Sequence, residues 1–112
     1  MNRTLDEGEA AATMPRFACF LRPPTSDPRP VSAEVLAAHT AYLHQLLADG
    51  RLVAAGLLDD PREGLMVFDA VDLEHARAIA AADPAVADGG RQAIVRQWNV
   101  EIERSRETTS PT

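Results

Sequence analysis

The sequence predicts an α+β fold, one antiparallel sheet with its helices packed on one side. Three observations carry that reading. Short apolar runs of strand-like composition are interleaved with two segments of helical periodicity, in the order βαββαβ. The two middle strands are joined by Asp59-Asp-Pro-Arg-Glu-Gly64, turn chemistry too short for a crossover, so they form an antiparallel hairpin. A composition of 46% hydrophobic and 25% charged residues over 112 positions is that of one ordinary globular domain. This element order commonly folds as a ferredoxin-like sandwich.

The elements follow one another as the pattern requires. Residues 1–15 are set apart as a disordered extension, since Met1 to Thr13 is polar and acidic; the folded domain is placed at 16–103 and a polar disordered tail at 104–112. Arg16-Phe-Ala-Cys-Phe-Leu-Arg22 reads as a buried strand. The prolines of Pro23-Pro-Thr-Ser-Asp-Pro-Arg-Pro30 forbid a helix or central strand and predict a stiff, extended loop. Ser32 is suited to cap a helix, and Glu34 lies in its first turn, where the dipole favours an acid. Val35, Leu36, His39, Tyr42, Leu43, Leu46 and Leu47 then recur at three- and four-residue spacing as one face, until Gly50 stops the helix.

Leu52–Leu58 and Leu65–Ala70 are the hairpin strands. Asp72 caps a second helix with Leu73, Ala76, Ile79 and Ala80 inward, and Pro84 ends that helix or begins a separate turn. The last strand is expected over about Gln92 to Glu103, with Ile94, Arg96, Trp98, Val100 and Ile102 on one face. Beyond the helix-covered face, Phe17 with Phe20, and Met66 with Phe68, suggest apolar residues on both sides of the sheet. A wet second face would be polar. We therefore expect a homodimer joined through the sheet faces, closing an α+β barrel, which also suits a domain too small to bury much surface alone.

Charge and cysteine content narrow the partners. Net charge is −6, and all eleven basic residues are arginines with no basic stripe, so no nucleic-acid partner is expected. No segment reaches the roughly 18 consecutive apolar residues of a membrane helix. Cys19 is single, so no internal disulfide forms, which is compatible with a cytoplasmic location.

The candidate chemistry centres on His39 and Asp83. An imidazole within an apolar stripe, and a carboxylate in Ala80-Ala-Ala-Asp83-Pro84 at a helix end, can form an acid–base dyad in a small pocket. Each has a plainer reading: His39 as a core or interface histidine bonded to a carbonyl, Asp83 as an N-cap ahead of Pro84. Tyr42, one turn from His39, is a candidate ligand contact or a core residue. Trp98 can stack on a planar substrate or simply pack. Arg22 and Arg96 can each hold an anionic group or sit solvated. His39 and His44 are roughly 140° apart around a helix and do not converge. With no cysteine pair, carboxylate cluster or glycine-rich phosphate loop, neither a metal nor another cofactor is expected. Cys19 reads as packing.

The ordered set of these pieces resembles the YciI-like (YCII-related) family of the dimeric α+β barrel superfamily. The carrying residues are Phe17–Arg22, His39 with Tyr42-Leu43, Gly50-Arg-Leu-Val-Ala-Ala-Gly56, Ala80-Ala-Ala-Asp83-Pro84-Ala-Val86, and the strand around Trp98; together they span roughly residues 16–102. The resemblance implies the barrel dimer and a catalytic role for His39 and Asp83. Relatives include a dehydrochlorinase acting on a chlorinated hydroxyquinol. Some members carry an arginine one turn before the histidine, where this chain has Leu36. Three functions follow as expectations: a small cofactor-independent enzyme with lyase, isomerase or dehydrohalogenase-like proton transfer on a small molecule; a non-catalytic ligand-binding or accessory module; or a structural dimer.

Overall fold

The computed structural model describes residues 14–104, so the readings of residues 1–13 as an extension and of 105–112 as a tail lie outside the described residues. The elements are β1 (Arg16–Arg22), α1 (Ala33–Ala48), β2 (Leu52–Leu57), β3 (Gly64–Asp69), α2 (Leu73–Ala81), α3 (Pro84–Ala87) and β4 (Gln92–Gln97). The four strands form one sheet in the order β2-β3-β1-β4, every pair antiparallel. This is the ferredoxin-like α+β arrangement that the element order predicts.

Local chemistry sets the helix ends. The Ser32 hydroxyl accepts from the Val35 amide at 3.1 Å and opens α1. At its other end Gly50 takes φ +78°, its amide donating to Leu47 O and the Arg51 amide to Leu46 O. That pair of bonds is a Schellman motif, which satisfies two carbonyls a helix end leaves open. Asp72 caps α2 through the His75 amide at 2.8 Å, and His75 Nδ1 accepts in turn from the Val71 amide.

Strand alternation sorts β1 cleanly. Phe17, Cys19 and Leu21 face the helices; Arg16, Ala18, Phe20 and Arg22 face away. The register sets Phe17 opposite Phe68 and Cys19 opposite Met66, so the core is built from these four with Leu46, Ile79 and Ala80 from the helices. The Phe17 and Phe68 rings stack with centroids 6.4 Å apart. Complete burial of each large apolar side chain contributes about 1.5–3 kcal/mol.

Three sequence expectations are corrected here. Met66 and Phe68 lie two residues apart and both face the helices; the apolar residues that β3 gives the other face are Leu65 and Val67. β4 ends at Gln97, not near Glu103, because its partner β1 begins at Arg16. The Trp98 amide donates to Arg16 O at 2.8 Å, and among the described residues 98–104 add no further strand. Leu73, at the first position of α2, is exposed rather than inward.

A register shift between Leu52 and Ala54 bulges β2 at Val53. Such a bulge reverses the alternation that follows it. Leu52 faces the helices opposite Phe68, and after the bulge Ala55 and Leu57 share that side. This side carries the site.

Candidate functional site

Topology gathers the site at one end of the sandwich. In a βαββαβ fold with this strand order, the β1–α1 loop, the β2–β3 turn and the α2–β4 connection all lie at the same end. A cavity of about 710 Å³ opens there on the helix side of the sheet. Pro23, Pro28 and Pro30 of the rigid loop form one wall, Leu36, His39 and Leu43 of α1 another, and Ala55, Leu57 and Met66 the sheet side.

His39 stands two turns into α1, on the cavity wall, with 17% of its side chain exposed. Asp83 is wholly buried behind it. Both carboxylate oxygens of Asp83 lie 2.8 Å from His39 Nδ1. A carboxylate only accepts, so Nδ1 is the nitrogen that carries the proton, and in the neutral ring Nε2 holds the lone pair. Among the described residues Nε2 has no hydrogen-bond partner. The arrangement fixes the orientation of a ring that borders the cavity.

Asp83 is held there by a local device. Its Oδ1 accepts from the Ala85 amide at 2.9 Å, and Pro84 occupies the first turn of α3. The N-cap reading and the histidine-partner reading are therefore both realised by one side chain: two donors satisfy a carboxylate that would be costly to bury bare. Its charge reaches the neighbours. Burial, with the Asp83 charge second, pushes the Cys19 thiol up to about 12. Cys19 therefore stays a thiol and supplies no nucleophile. Burial and then the Asp83 charge also raise the Tyr42 phenol, against a smaller opposing pull from Arg51.

The other residues singled out from sequence stand elsewhere. The Tyr42 hydroxyl donates to Ile79 O at 2.7 Å, tying α1 to α2 away from the cavity lining. Arg22 and Arg96 lie on the far face of the sheet, paired with Gln92 and Ala18 respectively. Trp98 follows the last strand and is about half exposed. None of the four lines the cavity.

Instead its charged lining is Arg29, Arg62 and Arg91, with Thr40 as a further polar group. No periodicity marks these arginines. The signal that could find them is topological, since they fall in the three connections that share one end of the sheet. Gly89, at φ +89°, and Gly90 let the proline loop close down. A Cβ on Gly89 would meet Arg29 Nη2 at 3.3 Å, and one on Gly90 would meet Val31 Cγ2 at 3.1 Å.

These features define a ferredoxin-like α+β protein in which a buried carboxylate holds a histidine on the wall of a mostly apolar cavity. The chain belongs to the YCII-related domain family, whose model matches residues 16–99. It is also similar to the uncharacterized protein YjpA of Bacillus subtilis (strain 168), 35% identical over 68 residues, which cover 61% of this chain and 80% of YjpA. Among the described residues no helix is long and apolar enough to cross a membrane, and no cluster of three or more His, Cys, Asp or Glu side chains is placed to hold a metal ion.

Proposed function

We propose that the protein is a small acid–base enzyme in which His39 moves a proton on a small molecule bound in the cavity. The chemistry is of lyase, isomerase or dehydrohalogenase type and needs no cofactor. One observation carries this reading: His39 Nδ1 is held 2.8 Å from both Asp83 oxygens while the ring stands on the cavity wall. Asp83 touches no substrate. It orients the ring and stabilises the imidazolium that forms when Nε2 takes a proton, and is therefore a positioning residue.

The test is proton abstraction itself. A panel of small carbon acids is incubated with the protein in D₂O and exchange at the acidic carbon followed by NMR. The wild type accelerates exchange of at least one member, and His39→Gln, still folded, loses about 10²–10⁴ of that rate. A folded His39→Gln protein with unchanged turnover overturns the role.

A second reading, a ligand-binding or accessory module, is favoured by one feature. Among the described residues His39 is the one imidazole on the cavity wall, and no carboxylate, thiol or phenol stands beside it to complete a two-group mechanism. Saturable ligand binding with no exchange across the panel supports it.

We further propose that the protein works as a homodimer in the cytoplasm. The sheet face turned from the helices offers Ala18, Phe20, Leu65, Val67 and Ile94 at its centre, with Arg16, Arg22, Arg96 and Asp69 around them. An apolar centre with a polar rim suits a sheet-to-sheet interface. In this reading Arg22 and Arg96 belong to that interface rather than to the ligand. The cytoplasmic location is supported by Cys19, a lone buried thiol.

A further inference from the structure

We infer that the cavity takes a small apolar monocarboxylate, its carboxylate held by Arg91; this rests on the reading of the same cavity as the functional site. Among the described residues the lining is mostly apolar and includes no carboxylate, yet three guanidinium groups border it, in a chain of net charge −6. Two of the three are already engaged. Arg62 forks onto Asp60, with Nη2 at 2.8 Å and Nε at 3.1 Å. Arg29 meets the Asp88 carboxylate at 3.2 Å and its carbonyl at 2.9 Å, with Asp27 at 3.8 Å.

Arg91 differs. Through Nη1 it donates to Gly90 O at 2.7 Å and Arg29 O at 3.4 Å, and among the described residues it meets no carboxylate. These carbonyl bonds fix the guanidinium while leaving Nε and Nη2 without a described partner, the edge that binds a carboxylate bidentately. It lines the same cavity as Pro61 and Arg62 of the β2–β3 turn. One uncompensated guanidinium matches one negative charge, which selects a monocarboxylate over a dianionic phosphate ester. The apolar walls take the body of the ligand, with His39 on the same lining.

The test is a titration of the full chain, followed by NMR, with 3-phenylpropanoate and its neutral isostere 3-phenylpropanamide. The wild type binds the carboxylate saturably, the His39 ring signals shift, and the amide binds at least about tenfold more weakly. Arg91→Gln loses that preference by weakening only the carboxylate, whereas Arg22→Gln, outside the cavity, retains it. Equal binding of the two probes overturns the inference, as does tighter binding of phenyl phosphate. Shifts at Arg77 rather than His39 overturn it too, because Arg91 also borders a shallower groove beside α2 and β4. An equal loss of affinity in His39→Gln also overturns it, since the imidazole would then be the anchor. Failure of the proton-transfer reading looks different: carboxylate bound through Arg91, with no exchange in the carbon-acid assay.

Discussion

Asp83 and His39 lie 44 positions apart in the chain, yet both oxygens of the first stand 2.8 Å from Nδ1 of the second. The carboxylate is fully buried and the imidazole is at the cavity surface. One member of the pair is thus shielded from solvent and the other borders the cavity. In the proposed mechanism this asymmetry assigns orientation of the ring to Asp83 and proton transfer to His39.

Replacing Asp83 by Asn tests that division of labour. Asn is a good N-cap, so the Ala85 bond and the fold survive, with a stability loss of about 1–2 kcal/mol from the weakened buried contact. The Asn amide can donate to Nδ1, so the ring no longer has one enforced tautomer. ¹⁵N NMR of the wild type shows the proton on Nδ1, while Asp83→Asn shows a mixture or the reverse, with a lower exchange rate. A wild-type ring protonated only on Nε2 contradicts the assignment.

Cys19 gives a pH test. Its thiol titrates at about 12 in the folded protein, against an ordinary value of 9.0, mainly through burial. A raised acid pKa means the folded state holds its proton more tightly. The resulting stability is fully present below about pH 9 and is lost as pH rises toward 12. Iodoacetamide therefore leaves the native protein unmodified at pH 8 and labels it once denatured. Rapid native labelling would show that the strand opens.

Acid acts on a different pair. The Arg62 guanidinium holds the Asp60 carboxyl down at about 2, against 3.8 ordinarily. This contribution is present above about pH 4 and fades as pH falls toward 2. Arg62→Gln moves the Asp60 titration back up toward its ordinary range, read by carboxyl ¹³C shifts.

The open sheet face predicts assembly. The wild type sediments as a dimer at micromolar concentration, and Phe20→Glu, on the face turned from the helices, sediments as a folded monomer. Phe20 is 38% exposed in the single chain, so a charge there costs the fold little but disrupts an apolar interface. A wild-type monomer, or an unaffected variant dimer, counts against the sheet-face contact.

Two glycines separate backbone strain from crowding. Nothing lies within 4 Å of a Cβ placed on either Gly50 or Gly56, but only Gly50 has a positive φ, +78°. Gly50→Ala should cost about 1–2 kcal/mol, purely conformational. Gly56→Ala should be neutral or stabilising by up to about 1 kcal/mol, because it restricts the unfolded chain. Thermal melts of the two variants distinguish these outcomes.

The sequence alone determined the element order, the hairpin, the caps at Ser32, Asp72 and Asp83, and the glycine stop at Gly50. Each depends on residues within a few positions of one another, where local sterics and hydrogen bonding decide. It also marked His39 and Asp83, since a polar group inside an apolar pattern is visible without coordinates. What only the tertiary structure decided depends on partners far apart in the chain. β4 stops at Gln97, opposite Phe17 and beside the start of β1 at Arg16. The bulge at Val53 turns the side chains of Ala55 and Leu57 to the helix side of the sheet, where the cavity lies. The arginines on the cavity are Arg29, Arg62 and Arg91, not Arg22 and Arg96, because strand direction brings three separate loops to one end of the sheet while alternation turns the strand arginines to the other face. Periodicity reports which face a residue takes within its own element; which loops meet is set by how the strands pair.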